Sequence, residues 1–117
     1  MDTRRKILAA EEAVEHWSGR KVRLVRGYFD PLLAEHARRL AELATPGAAL
    51  VVVIEDPPQP ILPARARAEL VAALQAVDCV VLGAPTNLPA EAVFDETWED
   101  LGRAEKFMAE VRARQGV

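Results

Sequence analysis

The residues with the clearest chemical potential are Gly27-Tyr28-Phe29-Asp30, with His36 a short way behind them. Gly27 closes a strand-like stretch, Lys21 to Arg26, and a helix-forming stretch begins within five residues of it. A turn of this kind aims the free N–H groups and the positive dipole end of a helix at whatever lies above the strand, which favours an anion there. His36, early in that helix, carries a ring N–H suited to donate to a phosphate. Asp30 is placed to cap the helix, and Pro31 suits its first turn.

Other chemistry finds little support. Serine occurs only at Ser18, so no Ser-His-Asp arrangement is available. His16 and His36 with scattered carboxylates give no metal-site spacing, so no metal ligands are assigned. The single cysteine, Cys79, lies in the apolar run Val77-Asp78-Cys79-Val80-Val81-Leu82 and reads as a buried small hydrophobe.

The elements that must position the turn follow from periodicity. Residues 4 to 17 read as a helix, with Ile7, Leu8, Val14 and Trp17 near one another on a 3.6-residue period. Ser18-Gly19 breaks it. A strand over 21–26 precedes the Gly27 turn, and the next helix runs to about Ala44 on Leu33, Ala37, Leu40 and Leu43. Leu50 to Ile54 is a continuous aliphatic run, the mark of a strand buried on both faces. After a loop with four prolines between Pro57 and Pro63, Arg65 to Ala76 is helical and Cys79 to Leu82 is a third buried strand. Residues 84–89 read as a loop, 91–94 as a short strand, and 95–114 as a long amphipathic helix carrying Trp98, Leu101, Phe107, Met108 and Val111. Strands separated by single helices imply parallel pairing and right-handed crossovers, with ligands at the carboxyl ends of the strands.

The 117 residues fit one domain, 1–117, with 1–83 as its core and 84–117 as a loop and long helix. Half the residues are hydrophobic and 28% are charged, a globular rather than a disordered composition. A net charge of −3 gives no global case for nucleic acid. The longest apolar run, Ala48 to Ile54, is too short to span a bilayer, and the start Met1-Asp2-Thr3-Arg4-Arg5-Lys6 does not look like a secretory leader. The cytoplasm is therefore the expected compartment.

Gly27-Tyr28-Phe29-Asp30-Pro31-Leu32-Leu33-Ala34-Glu35-His36-Ala37-Arg38-Arg39-Leu40 resembles the signature of the nucleotidyltransferase superfamily, approximately G-C-F-D-L-L-H-A-G-H-V-R-Y-L. The closest flavour is the sugar-phosphate branch, as in the nucleotidyl-transferring domain of ADP-heptose synthase. Arg5-Lys6-Ile7-Leu8 looks like that branch's lead-in, and Pro60 to Leu74 followed by Val77-Asp78 looks like its second-helix region. The likeness covers roughly residues 5 to 83. It implies a three-layer, Rossmann-like α/β domain of the cytidylyltransferase-like (adenine nucleotide alpha hydrolase-like) type. The short parallel sheet is expected in the order 3-2-1 and shortened at the C-terminus. It also implies a nucleotide or phosphate site at Gly27, Tyr28, Phe29, Asp30 and Arg67, with His36 stabilising the transfer of a nucleotidyl group from an NTP to a phosphate acceptor. Mg²⁺ would be needed if the chain is active.

The chain departs from that signature where the chemistry is done. Leu33 holds the place of the first histidine and donates nothing, Glu35 holds the place of a glycine, and Gln59 that of an arginine. A carboxylate ~4 Å from a phosphate repels it by about 4 kcal/mol at a surface-like dielectric, about three orders of magnitude in affinity. Pairing of Arg26 with Glu35 or Asp30 would turn Glu35 into an internal substitute for the missing anion. The leading expectation is a degenerate nucleotidyltransferase-like domain, weakly active or inactive, that binds a nucleotide or phosphorylated small molecule or serves as a scaffold. The alternative is an active minimal enzyme using His36, Arg67 and a divalent metal. With its later strands lost, the strand over 21–26 would lie at a sheet edge guarded by Arg23, to be covered by the long C-terminal helix or by a second copy of the chain, hence an expected homodimer.

Overall fold

Backbone hydrogen bonding between largely apolar strands builds one parallel sheet, seen in a computed structural model that describes residues 2–83 and 88–115. Residues 84–87, part of the expected loop, lie outside the described residues. A short 3-10 turn, Thr3–Lys6, leads into β1 (Ile7–Ala9), then α1 (Ala10–Trp17), β2 (Val22–Gly27), α2 (Ala34–Leu43), β3 (Ala49–Ile54), α3 (Ala64–Ala72), β4 (Cys79–Leu82), β5 (Ala92–Asp95) and α4 (Thr97–Gln115). Among the described residues the sheet has five strands, all parallel, in the order β1-β4-β3-β2-β5. The three central strands thus stand in the expected order.

The strands are buried because both of their faces are apolar. Val25, Leu50, Val52 and Val80 face α2 and α3, where Leu40, Leu43, Ala68 and Val71 cover them. Val22, Leu24, Val51, Val53, Cys79 and Val81 face the other way, onto Ala13 and Trp17 of α1. The result is three layers, helix–sheet–helix, as a continuous aliphatic run in a parallel strand requires.

Two expectations are corrected. Ile7–Ala9 is a strand and not the first half of a helix: Ile7, Leu8 and Ala9 register with Val80, Val81 and Leu82 at the sheet edge. Three residues cannot display a period, and Ile7-Leu8 suits either element. Lys6 then ties this edge down by donating its ammonium to the carbonyls of Leu74 (3.1 Å) and Val77 (2.8 Å) beyond α3.

The second correction concerns β2, which is interior and not an edge. β5 pairs with it in parallel on the side away from β3, Leu24 opposite Val93 and Val25 opposite Phe94. Arg23 is therefore no edge guard. Its Nε donates 2.7 Å to the Leu43 carbonyl, capping the last turn of α2, and its guanidinium lies 4.9 Å from the Phe94 ring centroid. With β5 in place, the bare flank on which a second copy of the chain was expected to sit is already filled. The edges lie at β1 and β5, and Val93 and Trp98 are exposed on the β5 side.

α4 follows β5 directly and packs over the carboxyl end of β2. Asp95 holds its start, accepting from the Thr97 backbone N–H at 3.0 Å and the Thr97 hydroxyl at 2.6 Å. Among its described residues only Asp100 is fully buried. No described helix is long and apolar enough to cross a membrane.

Candidate functional site

Everything of chemical interest gathers where β2 ends. Gly27 is the last residue of the strand, and its carbonyl accepts from the Glu55 N–H at 2.9 Å. The chain then turns sharply, with Phe29 in the left-handed region at φ 49° and Asp30-Pro31 joined by a cis peptide. α2 starts at Ala34, later than Pro31 had indicated, with Leu33 as its N-cap residue. Leu33 has no polar side chain to offer. Instead its backbone N–H donates 2.9 Å to Nδ1 of His36, so His36 plays the reciprocal part that a glutamate plays in a capping box.

That bond fixes the imidazole. With Nδ1 accepting from Leu33, a proton on Nε2 satisfies the ring's other side, and Nε2 lies 2.8 Å from Oδ1 of Asp100. Both side chains are buried, at 3% and 2% exposure. The same Asp100 carboxylate accepts from the backbone N–H groups of Tyr28 (2.8 Å) and Phe29 (3.4 Å) through Oδ2, and from Arg103 (2.7 Å) through Oδ1. Two successive amides converging on one oxygen form a small anion-binding concavity of the kind made by alternating right- and left-handed backbone. Phe29 lays its ring against His36, centroids 5.2 Å apart, and shields the group from water.

The electrostatics are consistent with this geometry. Burial alone would push the Asp100 carboxyl up, but His36, Arg103 and the Tyr28 N–H outweigh it and hold the group below its ordinary 3.8. Arg103 is held protonated by the same contact: burial opposes its charge, and Asp100, with Glu96 and Glu35, overrides that cost. A buried charge is tolerated only when paired and hydrogen-bonded, and Asp100 has four N–H partners.

Gly27 is glycine for a matching reason. A Cβ there would lie 2.6 Å from Oδ2 of Asp100 and 2.7 Å from the Phe29 ring. The space above Gly27 is taken by a carboxylate of the chain itself.

The other expected site residues fall into separate roles. Asp30 does not cap α2. Its two oxygens accept from the N–H groups of Ile61 (2.6 Å) and Leu62 (2.8 Å), pinning the proline-rich loop. Arg67, 1% exposed, is a buried strut that donates to the carbonyls of Leu62, Tyr28 and Glu55 and to the Asp56 carboxylate at 2.7–3.0 Å. Arg26 pairs with neither Glu35 nor Asp30. It makes a two-point contact with Glu55 (2.6 and 3.1 Å) and approaches Asp95 at 3.5 Å. Glu35 sits at the surface of α2 and meets Arg103 at 3.5 Å. The carboxylate buried at the turn is thus that of Asp100 and not that of Glu35. Cys79 is buried and burial pushes its thiol up, which suits packing and not nucleophilic chemistry.

Asp100 and Arg103 were not anticipated. One signal was present: Asp100 is in phase with Ala104, Phe107 and Val111 on α4, so a carboxylate stands at the head of an apolar stripe. Nothing local could have paired it with His36, which lies 64 residues earlier.

Two clefts flank α4. One of about 240 Å³ lies between α4 and the start of α2, with Glu35, Arg38, Arg103 and Lys106 on its walls. The other, of about 580 Å³, lies between α4 and the proline-rich loop and has Tyr28, Asp30 and Asp100 on its walls. Among the described residues no group of three or more His, Cys, Asp or Glu side chains is arranged to hold a metal ion. No protein-family model matches the chain, and no curated protein matches it in sequence.

Proposed function

We propose that this chain is a degenerate nucleotidyltransferase-like domain of the cytidylyltransferase-like type, without significant turnover, that serves as a binding or scaffold module. The observation that carries this reading is the Asp100 carboxylate. It sits on the Tyr28 and Phe29 amides and the His36 ring, where the resembling family would bring nucleotide phosphates. A phosphate approaching to ~4 Å of a carboxylate is repelled by about 4 kcal/mol per unit charge at a surface-like dielectric.

Three further features support the reading. The turn stands at the carboxyl end of β2, the side of a parallel sheet on which ligands bind. Leu33, at the place of the first signature histidine, contributes only backbone. Arg67, the cation that the active alternative would spend on a nucleotide, has its donors committed to three carbonyls and Asp56.

The test is a pyrophosphate-release assay on the full chain with each of the four NTPs, Mg²⁺ and a panel of sugar phosphates. Release at the protein-free rate is expected. Sustained, protein-dependent release would overturn the reading in favour of the active minimal enzyme.

A further inference from the structure

We infer that the free edge of β5 is a docking site for an extended peptide segment bearing lysine or arginine, which adds to the sheet as a further strand beside Val93. That edge lies apart from the Asp100 turn and does not depend on whether the turn binds a nucleotide.

β5 closes the sheet on one side, and its strand neighbour among the described residues is β2 alone. Backbone N–H and C=O groups alternate in direction along a strand. Half of those on Ala92 to Asp95 therefore point away from β2, where no described strand meets them. The opposite edge is blunted: β1 is only 3 residues long and follows a turn that carries Arg4, Arg5 and Lys6. β5 has neither a lysine nor a proline.

The side chains along this edge are apolar in the middle and anionic at the ends. Phe94 turns onto the α2 side of the core, so Val93 and Asp95 stand on the other face. Val93 is 57% exposed there, although Leu24, its neighbour on β2, is buried in the core beneath α1. The cover that α1 gives the sheet thus stops short of β5. Glu91 precedes the strand, Asp95 ends it and Glu99 follows on α4, all three exposed. Arg26 is divided between Glu55 at 2.6 Å and Asp95 at 3.5 Å, which leaves their joint charge negative. Trp98, 81% exposed, offers its indole just beyond the strand.

These charges select the occupant. A second copy paired antiparallel about Val93 would set Glu91 of each chain against Asp95 of the other, and like charges directly opposite destabilise a sheet. The carboxylates guard the edge against itself. A strand with an apolar residue between two cations reverses the sign. Its apolar side chain meets Val93, its cations meet Glu91 and Asp95, and its main chain completes the ladder. The Trp98 ring accepts a further cation on its face.

The experiment titrates the full chain into a fluorescently labelled peptide of alternating lysine and valine, reading anisotropy, and measures hydrogen exchange of the β5 amides in the complex. Saturable binding that weakens with added salt and slows β5 exchange is expected. Two control peptides should not bind: one with glutamate for lysine, which inverts the charge, and one methylated on every backbone nitrogen, which cannot complete the ladder. Val93→Lys puts a cation at the centre of the edge and should weaken binding by about tenfold or more, with the melting transition kept. If Val93→Lys unfolds, Trp98→Ala combined with Glu99→Gln reads the same surface and should weaken binding by at least about threefold. No saturable binding, equal binding of either control, unchanged affinity in folded variants, or a wild-type dimer that Val93→Lys disperses would each overturn the proposal. Sustained NTP turnover would instead strike the functional reading and leave the β5 edge standing.

Discussion

Nε2 of His36 lies 2.8 Å from Oδ1 of Asp100, both side chains are buried, and the pair joins the first turn of α2 to the first turns of α4. Each residue answers a need of the other. His36 has one ring nitrogen engaged by Leu33 and needs an acceptor for the second. Asp100 is a carboxylate that would not survive burial without donors. The consequences below follow from that mutual dependence.

Removing one partner should cost far more than removing both would suggest. His36→Ala or Asp100→Ala leaves a buried polar group uncompensated and should destabilise by roughly 3 kcal/mol. The double substitution should fall well short of the sum of the two. A double-mutant cycle from urea unfolding reads the coupling, and strict additivity would contradict the pairing.

Gly27→Ala should loosen the same region without replacing either residue of the pair. The added Cβ meets Oδ2 of Asp100 at 2.6 Å and the Phe29 ring at 2.7 Å. Such overpacking costs roughly 1–3 kcal/mol. Faster hydrogen exchange at the Tyr28 and Phe29 amides, with β3 and β4 amides little changed, would show that the turn and α4 take the strain.

Stability should fall in acid through Asp100. Its folded value lies below 3.8, the ordinary one, so its contribution is complete above that pH and fades as pH drops through 3.8 towards the folded value. Urea titrations between about pH 6 and about pH 3 should show the loss in wild type and a shallower slope in Asp100→Asn. Identical acid slopes would contradict the assignment.

Arg67 should behave as a structural residue. Truncating a buried guanidinium that serves three carbonyls and a carboxylate strands those acceptors, so Arg67→Ala should cost roughly 3 kcal/mol or more. Lysine cannot reproduce the planar fork, and Arg67→Lys should recover little of the loss. A thermally normal Arg67→Ala would place the residue in ligand binding instead.

Much of this architecture was legible because burial leaves a signature in composition. The runs 50–54 and 79–82 are aliphatic on both faces, so their place inside a parallel sheet could be read directly, while the order of the central strands came from the family resemblance and not from composition. β1 escaped notice because three residues carry no period. β5 was legible as a short strand, but its place beside β2 depends on a connection that no local pattern specifies. The turn and His36 announced themselves by residue type and spacing. Their occupant did not, since Asp100 reaches them only through the fold; Arg67, expected near a nucleotide, is taken up by Asp56 and backbone carbonyls, and Arg26, expected to pair with Glu35 or Asp30, is taken up by Glu55.

The most direct measurement of the central relationship is the long-range proton–nitrogen spectrum of the histidine rings. With Asp100 seated on His36, the His36 proton must reside on Nε2, exchange slowly with water, and shift markedly in Asp100→Asn. A His36 protonated on Nδ1, or a ring whose signals ignore that substitution, would show that Asp100 does not occupy the site.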